Sequence, residues 1–80
     1  MTLQEIEENV KEVMIEDLEI EEECISPDAL LKDDMGIDSL DFVDIVVIVE
    51  RTFGFKIKPE EMSEVKTFAQ FCNYIDSKLN

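Results

Sequence analysis

The segment "LDFVDIVVIVERTF", Leu40 to Phe53, constrains the fold of this chain more than any other. Its centre, Ile45 to Val49, is a run of five β-branched residues. Such side chains suit a pleated backbone, so the centre alone reads as a buried strand. Three features oppose that reading. The apolar stretch is long for a strand, Gly54 follows it as a helix stop, and Asp38 or Ser39 precedes it as an N-cap. No other segment offers a convincing partner strand, so the segment is expected to be a helix. At about 100° per residue, Phe42, Ile45, Val46, Val49 and Phe53 gather on one side, which is assigned to the core. Leu40, Val43 and Val47 fall on the other, among Asp41, Asp44, Glu50 and Arg51. An apolar strip inside a charged rim has the composition of a docking surface.

The flanking segments carry helical signals of their own. "TLQE", Thr2 to Glu5, is a capping box, in which a hydroxyl cap is followed three residues later by a glutamate. Leu3, Ile6, Val10, Val13 and Met14 then recur at helical spacing, which predicts a first helix to about Asp17. Thr67 and Gln70 repeat the box, and Phe68, Phe71, Cys72, Ile75 and Leu79 follow it on one helical face. Pro59 in "KPEEM" starts a further short helix. Residues 18–37 form a long connection. Ile20, Ile25, Leu30, Leu31, Met35 and Ile37 are scattered through it, so it is expected to pack on the core, with one helical turn at "SPDALL". The fold class that follows is all-α: a small four-helix bundle, three main helices plus a short one, with a long packed first loop. Eighty residues without repeat or linker are read as one domain, 1–80.

Charge narrows the function. Acids outnumber bases 21 to 7, a net charge of −14. Nucleic acid and anionic membrane both require a positive footprint, so neither is expected as a partner, and a basic protein surface is the better complement. "MTLQEIEENV" lacks the basic and apolar regions of a secretory signal. Cys24 and Cys72 have no CxxC spacing and are read as reduced thiols of a cytoplasmic protein.

Ser39, between two aspartates in "GIDSLDF", is open to two readings: a helix cap or a site of modification. A catalytic serine is the weaker rival. The chain has no histidine, so a Ser-His-Asp arrangement cannot form, and the second glycine of a nucleophile elbow is missing. The acids of "DDMGIDSLD" stand at the wrong offsets for a calcium loop. No metal or nucleotide motif is present in the sequence.

"GIDSLD", followed by an amphipathic helix with acids at Asp41 and Asp44, closely resembles the prosthetic-group site of acyl carrier proteins. The resemblance extends over nearly the whole chain: the capped acidic first helix, the apolar-studded loop, the "FGFKIKPEEM" link and the capped last helix. It implies that Ser39 carries 4′-phosphopantetheine, donated by coenzyme A through a phosphopantetheinyl transferase, and that the arm holds acyl groups as thioesters. It implies that Asp38, Leu40, Asp41, Val43, Asp44, Val47, Glu50 and Arg51 face partner enzymes with basic surfaces. The candidate lining for the acyl chain is Phe42, Val46, Phe68 and Phe71. Three departures from the family pattern stand out. Phe42 is bulkier than usual, the "IVVIV" run is unusually β-branched, and Arg51 replaces a frequent second acid. The expected function is a free-standing, monomeric, non-enzymatic carrier in fatty acid biosynthesis. The alternatives are a carrier of aminoacyl or polyketide units in a dedicated pathway, or an acidic interaction module such as a nucleic-acid mimic.

Overall fold

The computed structural model describes residues 1–79. Three α-helices carry the fold: α1 (Leu3–Glu16), α2 (Ser39–Phe53) and α3 (Phe68–Leu79). Two 3₁₀ turns, Glu22–Cys24 and Pro59–Glu64, lie in the connections. There is no strand among the described residues, so the β-branched run of α2 is helical. Its propensity is outweighed by local end signals and by burial. Asp38 caps the first turn, Gly54 at φ +82° closes the last one, and Ile45 and Val49 are buried.

Both expected capping boxes form. Thr2 Oγ1 accepts the Glu5 N–H at 3.2 Å, and Glu5 Oε1 accepts the Thr2 N–H at 3.0 Å. At α3, Thr67 Oγ1 accepts the Gln70 N–H, and Gln70 Oε1 accepts those of Lys66 and Thr67. The apolar stripes behind these caps become the core: Ile6, Val10 and Met14 of α1 meet Phe68, Phe71, Cys72 and Ile75 of α3. Cys72 is fully buried, and desolvation pushes its thiol up to about 12. Neither cysteine is in a disulfide. A void of only about 10 Å³, barely the threshold for one water, remains between Val10, Met14, Ile45, Val49, Phe53 and Phe71, where the three helices meet.

The long connection packs as its apolar residues suggest. Ala29, Met35 and Ile37 are buried, and Leu18, Ile20, Ile25 and Leu31 pack partly buried against the core; Leu30 is the exception, at the edge of exposure. The helical turn expected at "SPDALL" is a single tight turn, closed by the Ala29 N–H to the Ser26 carbonyl at 3.0 Å. It cannot propagate, because the groups a helix would use are engaged elsewhere. Pro27 and Ala29 carbonyls accept the N–H groups of Ala69 and Phe68, and the Leu31 N–H reaches the Lys66 carbonyl at 2.8 Å. The Leu30 N–H goes to the Asp34 carboxylate. Leu30 and Thr67 thus form an isolated antiparallel bridge that ties the loop to the start of α3.

Candidate functional site

The loop delivers Ser39 to the surface through two buried anchors. Met35 and Ile37 plug into the core on either side of Gly36, whose φ of +71° belongs to the left-handed region that glycine enters without strain. Their N–H groups bond back to the Leu30 and Leu31 carbonyls at 3.0 and 2.9 Å, which fixes where α2 begins.

At that start, the two candidates for the cap separate. Asp38 is the N-cap: its Oδ1 accepts the N–H groups of Leu40 at 3.0 Å and Asp41 at 2.9 Å. Asp41 reciprocates, its Oδ2 accepting the Asp38 N–H at 3.4 Å. Ser39 is the first helical residue, is exposed, and its hydroxyl makes no hydrogen bond among the described residues. A serine beside a helix start usually works as the cap. Here an aspartate has that role and the serine hydroxyl is left over. The position suits a phosphodiester, since the positive end of the helix dipole favours negative charge there.

Beyond Ser39, α2 presents the apolar strip that its helical wheel implied. Leu40, Val43 and Val47 are 77, 60 and 49% exposed, so no other element covers them. At helical spacing Leu40, Asp44, Val47 and Arg51 share one stripe, with Val43 and Glu50 beside it. Asp44, Glu50 and Arg51 are exposed, whereas Asp41 is half-buried through its cap. Arg51 has no carboxylate within ion-pair distance among the described residues.

The four residues expected to line an acyl site do not come together. Phe71 borders the tight three-helix void. Phe68 faces a cleft between the start of α1 and Pro27. Val46 is half-buried against the core. Phe42 lines an open pocket of about 290 Å³ whose wall also includes Ile37, two residues before Ser39. The other walls are Leu30 and Leu31 of the loop, Met62 and Val65 of the second 3₁₀ segment, and Lys32, Asp33 and Lys66. Sequence reading missed these walls because they come from connections, where no period assigns a side chain to a face.

The sequence that builds this site has counterparts among known proteins. The family model for the phosphopantetheine attachment site matches residues 8–75. The chain is 38% identical over 80 residues to the acyl carrier protein of Petrotoga mobilis, covering all of this chain and 94% of that protein. It is 37% identical over 76 residues to that of Thermotoga maritima, covering 95% of this chain and 94% of the relative. The chain belongs to the acyl carrier protein family. It is a phosphopantetheine-bearing carrier, and its cofactor is covalently attached 4′-phosphopantetheine. Membership favours the carrier over an acidic interaction module. No helix among the described residues is long and apolar enough to cross a membrane.

Proposed function

We propose that this chain is a free-standing, single-domain carrier (residues 1–80) that receives its arm on Ser39 and serves cytoplasmic fatty acid biosynthesis. One observation carries the assignment of the site. Ser39 is exposed at the first position of α2 while Asp38 and Asp41 satisfy each other, so its hydroxyl has no structural duty. When bound, the prosthetic group supplies a thiol on which acyl groups are held as thioesters.

The chain's own residues position and present; they do not activate. No histidine exists in the sequence, and the Ser39 hydroxyl makes no hydrogen bond to a carboxylate among the described residues. The proton of the Ser39 hydroxyl must therefore pass to a base on the modifying transferase, as expected of a substrate protein rather than an enzyme. Asp38, Asp41, Asp44 and Glu50 provide a negative field around the apolar Leu40, Val43 and Val47, a surface matched to basic partner grooves. Partners of that description are the phosphopantetheinyl transferase and the acyl-transferring and chain-elongating enzymes.

The test is intact-mass measurement after incubation with coenzyme A and a phosphopantetheinyl transferase. The expected result is a single phosphopantetheine increment that is absent from Ser39→Ala. An increment on the alanine variant would place the site elsewhere.

A further inference from the structure

We propose that the pocket beside Ser39 selects acyl chains that end in a carboxylate, with Lys32 and Lys66 meeting that carboxylate; this rests on the carrier reading with Ser39 as its attachment point. The pocket lies within reach of that point, since Ile37 and Phe42 line it and flank Ser39 in sequence. At about 290 Å³ it is just under the roughly 300 Å³ at which small-molecule sites begin. Its interior is apolar: Leu30, Leu31, Ile37, Phe42, Met62 and Val65. An aliphatic chain on a tethered arm fits that floor, because each methylene removed from water favours burial and the tether supplies a high local concentration.

The rim is what distinguishes this pocket. The chain carries only 7 basic residues against 21 acids. Lys11 and Lys78 are paired, with Glu22 and Glu61. Lys32 and Lys66, two of the remaining bases, both line this one pocket. They rise from segments joined by the Leu31 N–H to Lys66 carbonyl bond at 2.8 Å, and both residues are exposed, so they form its mouth. Neither has an ion-pair partner among the described residues. Asp33 is the single acid of the lining, and the Asp34 carboxylate next to it in sequence accepts the Leu30 N–H. Among the charged residues that line the pocket, cations outnumber acids two to one, against 7 to 21 over the whole chain.

Lysine stems can also cover apolar surface with the ammonium left in water, and that alone would serve a neutral chain equally well. The two readings differ in sign. Against the field of −14, a chain with a negative end should be held less well than a neutral one of equal length. Two unpaired ammonium groups at the mouth reverse that order for a chain whose end reaches them.

The experiment loads the wild-type chain through the transferase with matched-length monoacyl and ω-carboxyacyl arms from the corresponding coenzyme A thioesters. Cleavage of each thioester by hydroxylamine is timed, with the free coenzyme A thioesters correcting for intrinsic reactivity. The ω-carboxyacyl form should be cleaved roughly threefold more slowly than the monoacyl form, the scale of a partly exposed ion pair. It should also shift the amide resonances of Lys32 and Lys66. In Lys32→Met/Lys66→Met, which keeps the apolar stems, both effects should vanish; the two single variants, checked for folding by circular dichroism, should each lose part. Equal protection of the two arms in the wild type, or a preference that survives the double variant, overturns the proposal alone. Failure of Ser39 to gain any arm overturns the carrier reading and the proposal with it.

Discussion

Asp38 and Asp41 cap one another across the first turn of α2, and Ser39, between them, takes no part. The pairing divides the labour of the "IDSLD" sequence: the acids start the helix and the serine is left for chemistry. Removing the Asp38 carboxylate strands the N–H groups of Leu40 and Asp41, so Asp38→Ala should cost about 0.5–2 kcal/mol. Ser39→Ala removes an exposed, unbonded hydroxyl and should stay within about 0.5 kcal/mol of wild type. Urea denaturation of both variants checks this. If Ser39→Ala proves the costlier change, the cap has been assigned to the wrong residue.

Self-repulsion should dominate the salt response. The net charge is −14, and among the described residues two ion pairs form, Lys11–Glu22 at 3.1 Å and Lys78–Glu61 at 3.0 Å, which leaves most acids without a basic partner. Added salt shortens the range of repulsion from roughly 30 Å at 0.01 M to 10 Å at 0.1 M. Tm should therefore rise with sodium chloride, and divalent cations should act at lower concentration without a specific site. A Tm independent of ionic strength contradicts this account.

Glu61 fastens the second 3₁₀ segment to α3. It accepts a charge-assisted bond from Lys78 Nζ at 3.0 Å and the Tyr74 hydroxyl proton at 3.0 Å. Lys78 first, then Tyr74, hold its carboxyl below the usual 4.5. A depressed folded pKa contributes stability above the unfolded value, and that contribution is lost as pH falls through the folded one. Glu61→Gln should accordingly have a lower Tm than the charge-matched control Glu64→Gln at neutral pH. The gap should close as pH drops below 4.5 towards the lowered value. Thermal melts across that range decide, and a gap indifferent to pH would mean that the carboxylate charge is irrelevant to the fastening.

Arg51 stands on the same stripe as Leu40, Asp44 and Val47 with no acidic partner among the described residues. Facing a basic groove, it repels where its neighbours attract, a common means of excluding wrong partners. Arg51→Glu is expected to speed association with basic fatty-acid-synthesis enzymes at low salt and to lose the advantage at high salt. Asp44→Lys should slow transfer of the prosthetic group without unfolding the protein. Association rates unchanged in Arg51→Glu would reduce Arg51 to an ordinary surface residue.

The features legible in the sequence are those set within one or two helical turns. The boxes at Thr2–Glu5 and Thr67–Gln70, the Gly54 stop and the 3.6-residue stripes of α1 and α3 depend on neighbours a few positions apart, so a linear reading finds them. The exposed hydroxyl site at Ser39 was legible for the same reason, although whether Asp38 or Ser39 caps was a question of geometry that composition leaves open. Tertiary structure decided the remainder. The helical wheel of α2 set Val43 and Val47 apart from its core side, but only the placement of α1, α3 and the loop decides that no other element covers them. The turn at Ser26 stopped short because its backbone groups pair with the start of α3, some 40 residues on. The pocket gathers Leu31 and Lys32 with Met62 and Lys66 through that same pairing, which is why Phe42, Phe68 and Phe71, all core-facing by their periodicity, line three different spaces. Periodicity sets the direction of a side chain about its own helix axis, and contacts between distant segments set what it meets there.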